Sequence, residues 1–189
     1  MKGLIPSVGL TAMVFIVGLA GCQTIRGESL DAIVETVSRT HSVREIEGKA
    51  FEDTAKVDGG RFRVFDVRPT EEFEVGHLDG AVQVDPGMAA ETFLKRHGVE
   101  MEGKIGVFYC SVGYRSSILA ERIVEETGDS TRWVNLRGGI FGWYNDGRAV
   151  YDSTGITDRV HPYSAFWGKL IEKREGVPRE DEKGVPGSK

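Results

Sequence analysis

Segments of strand character alternate with segments of helical periodicity, which predicts an α/β domain: a central, mainly parallel sheet flanked by helices. Three observations carry this prediction. Residues 105–109, Ile-Gly-Val-Phe-Tyr, are a nearly continuous apolar run, as a strand covered on both faces requires. Two further strand-like runs, at 62–67 and 132–136, are separated from it by amphipathic stretches. A single cysteine, Cys110, directly follows the 105–109 run, at the carboxyl end where parallel sheets bind their ligands. Composition agrees: 189 residues, 40% hydrophobic and 28% charged, suffice for one globular domain with appendages. A net charge of −5 offers no basic surface for nucleic acid.

The first 21 residues stand apart from the domain. Lys2 gives a positive start, 8–20 is an apolar, small-residue stretch, and Leu19-Ala20-Gly21 provides a cleavage site before Cys22. Leu-Ala-Gly-Cys resembles the lipobox of bacterial lipoproteins at all four positions. That resemblance implies a signal peptide over 1–21 and a lipid on Cys22 as the first mature residue. The rival, a transmembrane anchor, fits less well, because 4–20 is short for a span and contains Pro6, Gly9 and Gly18. Several acyl chains on one cysteine anchor a protein stably. With only two cysteines in the chain and Cys22 blocked, Cys110 becomes the one free thiol, with no disulfide partner.

Residues 22–42 then read as a polar tether and a helix. Leu30, Ile33, Val34 and Val37 share one face and Ser29 is the expected N-cap, so the helix docks on the domain or serves as a stalk. From Cys22 to Leu30 the extended chain reaches at most about 25–30 Å, which holds the domain close to the bilayer. After the strand at 62–67, an acidic one- or two-turn helix is expected over 70–75, followed by the turn Gly76-His77-Leu78-Asp79-Gly80 and a small strand at 81–84. A helix over 88–97 buries Ala90, Phe93 and Leu94 and stops at Gly98. Beyond Cys110, Leu119, Ala120, Ile123, Val124 and Thr127 form the apolar face of a helix ended by Gly128. Gly138-Gly139 opens a short helix through Trp143. Trp133, Phe141 and Trp143 read as core. A C-terminal extension, 151–171, is expected to hold a helix docked over the core, with an aromatic patch for membrane or partner as the alternative. The polar tail 172–189, with charges of both signs and two Val-Pro breaks, reads as disordered.

The chemistry centres on Cys110-Ser111-Val112-Gly113-Tyr114-Arg115-Ser116. Thiolate, not thiol, is the nucleophile. A tight loop whose backbone N–H groups converge forms an anion nest, and a helix starting near Arg115 turns its positive end toward the same space. Gly113 permits the curvature, Arg115 binds an oxyanion or pins the loop, and Ser116 caps the helix. A buried cysteine acting merely as a small hydrophobe is the bland reading, and its place at a strand end before a Gly/Arg/Ser turn argues against it.

This loop resembles the active-site loop of rhodanese-like sulfurtransferases. Asp66-Val67-Arg68 with Glu72-Phe73 and Gly76-His77-Leu78-Asp79-Gly80-Ala81 is similar to that family's first motif, and Leu136-Arg137-Gly138-Gly139-Ile140 with Trp143 to its closing motif. The resemblance covers 43–150, a single rhodanese-like domain. Asp79 replaces the usual proline, while Val112 and Tyr114 are less typical loop residues that narrow substrate choice. The family implies that Cys110 accepts sulfur from thiosulfate or a persulfide and passes it to cyanide or a thiol, without metal or organic cofactor. Asp66, Arg68 and Arg137 take supporting places: the first two organise loops, and Arg137 either reaches a charged substrate or supports the fold. His77 reads as structural. Four residues separate Cys110 from Arg115, where the related phosphatases have five, so phosphoryl transfer is disfavoured. The tether implies a bacterial envelope protein outside the cytoplasm, and Gln23 favours the outer membrane. The opposing reading is a docking or sulfur-sensing module that does not turn over.

Overall fold

The computed structural model describes residues 29–172. Cys22, the leader segment and residues 173–189 lie outside them.

Ser29 caps the first helix, α1 (Leu30–Thr40), by accepting a hydrogen bond from the Ala32 N–H at 3.3 Å. Its apolar stripe, Ile33, Val34 and Val37, is buried, so the helix is docked on the domain. Two short elements follow that the periodicity did not reveal, β1 (Arg44–Ile46) and α2 (Gly48–Val57). A three-residue edge strand with a charged centre carries no alternation, and α2 buries only Phe51 and has no side-chain cap. Then come β2 (Phe62–Asp66), α3 (Thr70–Val75), β3 (Val82–Gln83), α4 (Ala90–His97), β4 (Ile105–Tyr109), α5 (Tyr114–Thr127), β5 (Trp133–Leu136) and α6 (Gly139–Asn145). An antiparallel hairpin, β6 (Val150–Asp152) and β7 (Gly155–Thr157), closes the regular structure.

The five-stranded sheet runs β1-β5-β4-β2-β3, with every neighbour pair parallel. Alternate residues therefore serve opposite faces. Val64, Val107, Tyr109 and Val134 pack with Ile33 of α1, Phe51 of α2 and Ile140, Phe141, Trp143 and Tyr144 of α6. Phe65, Phe108 and Trp133 pack with Phe93 of α4 and Leu119, Ala120 and Ile123 of α5. Each fully buried ring contributes about 2–3 kcal/mol. Because all strands share one direction, Val67, Cys110 and Arg137, each next after its strand, emerge on one edge of the sheet.

Two local expectations are corrected, and a third holds with a detail added. The small strand is only two residues long: the Ala81 N–H is taken by the Leu78 carbonyl in a turn, and past Val84, whose N–H donates to the Asp66 carbonyl of β2, the chain turns at Asp85. The helix does stop at Gly98, its C-cap, which at φ −54° leads on into a single 3-10 turn (Val99–Met101). The extension 151–171 holds the hairpin and one 3-10 turn (Trp167–Leu170) instead of a helix. Pro162 removes a donor, and Tyr163 adopts a left-handed φ of 60°, both incompatible with helix propagation. The turn docks nonetheless: Trp167, Leu170 and Ile171 pack against the core.

Candidate active site

Cys110 is delivered by β4 and is almost wholly buried, at 1% exposure. What shapes the loop after it is α6. The Ile140 N–H donates to the Cys110 carbonyl at 2.9 Å and the Phe141 N–H to the Ser111 carbonyl at 3.0 Å. Gly139, at φ 58°, makes this approach possible, since a Cβ there would collide with the carbonyls of both loop residues. With these carbonyls drawn toward α6, the N–H groups of Ser111 to Arg115 take no backbone acceptor among the described residues. They remain available to an anion held over the sulfur.

Gly113 turns the chain into α5 with φ 97° and is its N-cap. Ser116 is therefore not the cap. Fully buried in the first turn, its hydroxyl serves the Gly113 carbonyl (3.1 Å) and the Asn135 Oδ1 (2.7 Å), and it does not donate into the cradle. Val112 is buried and packs in the core. Tyr114 is 47% exposed and packs edge-on against His41, which in turn meets Glu121 at 2.8 Å.

Arg115 closes the ring and is itself held. Its Nη1 and Nη2 donate to the two Glu72 oxygens at 2.9 and 3.0 Å, and Nη2 also reaches the Ser111 Oγ at 3.0 Å. The Ser111 hydroxyl donates to the Glu72 Oε2 at 3.1 Å, completing a triangle. Burial disfavours the guanidinium charge, but Glu72 and the nearby Cys110 outweigh it and raise the Arg115 pKa. Arg115 thus pins the loop, and its guanidinium also lies close to Cys110.

Glu72 and Asn135 are the site residues that sequence reasoning did not assign a role. Glu72 sits among Glu71 and Glu74 on the six-residue α3, too short to show which carboxylate turns inward. Asn135 is a fully buried amide in an otherwise apolar strand, a signal of an internal partner.

The supporting residues separate. Asp66 and Arg68, both fully buried, form a two-pronged pair at 2.8 and 2.6 Å, and Arg68 also holds the Gly76 carbonyl at 2.7 Å. They organise the turn after α3, and among the described residues no hydrogen bond or ion pair joins them to the loop. Arg137 is engaged elsewhere, by Glu35, Glu45 at 2.9 Å and Glu47 at 3.2 Å, with Ser38 as a further acceptor. It ties α1 to β1, the supporting role, and is not aimed at the thiol. His77 donates from Nδ1 to the Phe73 carbonyl (3.0 Å) while stacking on the Phe73 ring, a structural place. Among the described residues no acidic, histidine or cysteine cluster is arranged to hold a metal ion, and no helix is long and apolar enough to cross a membrane.

Residues 52–146 match the family model of the rhodanese-like domain. No curated protein matches the chain in sequence. Among solved structures, a thiosulfate sulfurtransferase from Pseudomonas aeruginosa aligns at TM-score 0.52 and 19% identity, over 75% of this chain and 26% of that one. A protein of unknown function from Rhodopseudomonas palustris, described as a possible tyrosine phosphatase, aligns at 0.50 and 20%, over 66% of this chain and 95% of that one. At these identities the likeness is one of fold.

Proposed function

The chain belongs to the rhodanese-like domain family, and from that premise we propose that it is a sulfurtransferase working through a persulfide on Cys110. One observation carries the reading: the thiol opens a ring-like loop whose amides from Ser111 to Arg115 take no backbone acceptor among the described residues, while α6 holds the Cys110 and Ser111 carbonyls. Such a ring stabilises a small anion on the sulfur, as an oxyanion hole does on carbon. In the first half-reaction the Cys110 thiolate attacks the outer sulfur of thiosulfate; the S–S bond of the donor breaks and sulfite leaves with the bonding pair. Cys110-S-S⁻ remains. In the second, cyanide or a thiolate attacks the terminal sulfur, the cysteine S–S bond breaks, and the Cys110 thiolate is regenerated with thiocyanate or a new persulfide as product. Charge balances in both steps. A persulfide donor enters by the same exchange, leaving as its thiolate.

Four intervening residues make a smaller ring than a phosphoryl group needs, which favours sulfur over phosphate. The test is intact mass after incubation with thiosulfate. The parent is expected to gain one sulfur that cyanide removes, and Cys110→Ser to gain none. Absence of the adduct under non-reducing conditions overturns turnover of small donors and leaves the docking or sulfur-sensing module.

The proposal extends to a lipid tether at Cys22, in the bacterial envelope outside the cytoplasm, supported by Leu19-Ala20-Gly21-Cys22 alone. Cys22→Ala is expected to release the protein from membranes; retention points to a transmembrane anchor.

A further inference from the structure

The stretch 158–172 lies beyond the matched region 52–146, yet it returns to the nucleophile loop. It is fastened at several points. The Asp158 carbonyl accepts from the Tyr144 hydroxyl at 2.8 Å, and the Arg159 carbonyl packs so closely on Gly76 that no side chain fits there. Farther along, the Leu170 carbonyl accepts from the Asn145 amide at 2.7 Å, and the Glu172 N–H donates back to it at 3.0 Å. Between these fastenings Tyr163 lies over the Arg115 guanidinium, its ring centroid 5.3 Å from Cζ. Trp167, anchored in the core, braces the ring edge-on at 6.4 Å.

Burial does not account for this placement, because Tyr163 is 55% exposed. It is also the single non-glycine residue with positive φ among those described, a conformation that disfavours an L side chain. The placement accounts for the remaining face of Arg115. The guanidinium edges already serve Glu72 and Ser111, and the ring covers the open π-face. Three of the five N–H donors of Arg115 and one of its faces are thus committed to holding the loop. A donor must pass this covered arginine to reach a thiol that is itself only 1% exposed.

The geometry points to Tyr163 as a specificity-determining residue: it forms the rim of the Cys110 cradle and limits, by size, the donors that reach the sulfur. Slim donors such as thiosulfate, or a persulfide on an unbranched chain, pass; bulky ones do not. The choice of donors rests on the reaction proposed above, whereas the rim itself is a property of thiol access.

The test uses the full chain carrying Cys22→Ala, so that Cys110 is the only thiol. Alkylation rates are measured with iodoacetamide and with a polyethylene-glycol maleimide, for the parent, Tyr163→Ala, Tyr163→Gly and Tyr163→Phe. Removing the ring is expected to raise the maleimide rate about fivefold, the factor one such contact supplies, while the iodoacetamide rate changes less than about twofold. Tyr163→Gly, which also relieves the backbone, is expected to match Tyr163→Ala, and Tyr163→Phe to keep the parent ratio. Equal changes for both reagents, or none, overturn the assignment. Thiosulfate loading is followed on the same samples. A shifted rate ratio without loading in the parent refutes the reaction and keeps the rim; loading with an unshifted ratio does the reverse.

Discussion

Glu72→Ala probes what holds the loop. The Glu72 side chain is 3% exposed and accepts three hydrogen bonds, two from Arg115 and one from Ser111. Removing one partner of a buried ion pair costs about 3–5 kcal/mol, because the other charge stays buried and unmatched. Arg115 keeps 25% side-chain exposure, so water recovers part of its solvation and the expected loss is about 2–3 kcal/mol. For a domain of this size that lowers Tm by about 5–10 °C. The assay is urea unfolding, where the midpoint should fall with the slope unchanged. A cycle with Arg115→Met isolates the pair: the double variant should be more stable than the two single losses summed, by at least about 1 kcal/mol. A loss below about 0.5 kcal/mol, or strict additivity, refutes the claim that this carboxylate pins the loop.

Other predictions address the surroundings. Gly139→Ala should cost more than about 3 kcal/mol, since it adds a collision with the Cys110 and Ser111 carbonyls to an unfavourable φ; Gly128→Ala, equally left-handed (φ 68°) but facing open space, should cost only about 1 kcal/mol. Equal costs in chemical denaturation would mean that α6 does not press on the loop. Asp152, bonded by the Thr154 hydroxyl and N–H and facing Arg159, has its pKa lowered to about 2. Its folded value lies below the ordinary carboxylate value of about 4, so its contribution is complete above that pH and lost as pH falls toward 2. Thermal melts across that window should therefore show a steeper acid loss in the parent than in Asp152→Asn; identical slopes would refute it. Arg137→Met should loosen α1, seen as faster amide exchange at Ile33 and Val34, without changing sulfur loading of Cys110; a loss of loading would return Arg137 to the site.

The Cys110 loop could be read from the chain because its parts are contiguous: strand, thiol, glycine, arginine and helix follow one another within residues 105–127. The sheet was legible for the same reason, since β2, β4 and β5 are central strands and reveal themselves by apolar runs. What escaped notice depends on tertiary contact. β1 is recognisable only by its pairing with β5, and α2 only by the place of Phe51 against Phe62 and Trp143. Which of three neighbouring glutamates would meet Arg115 depends on the angle at which α3 leaves β2. The extension 158–172 misled because its aromatic spacing is helical while Pro162 and the backbone of Tyr163 are not.

The bonds from Ile140 and Phe141 to the Cys110 and Ser111 carbonyls have a consequence for how the protein is made. The amides that complete the loop lie thirty residues farther along, Cys110 to Ile140. During synthesis the thiol leaves the ribosome well before its ring can close. A chain truncated ahead of α6 would present the same seven-residue motif as an ordinary reactive cysteine. The loop thus takes its final shape only once α6 docks. Any fragment used to study this site must therefore extend through α6.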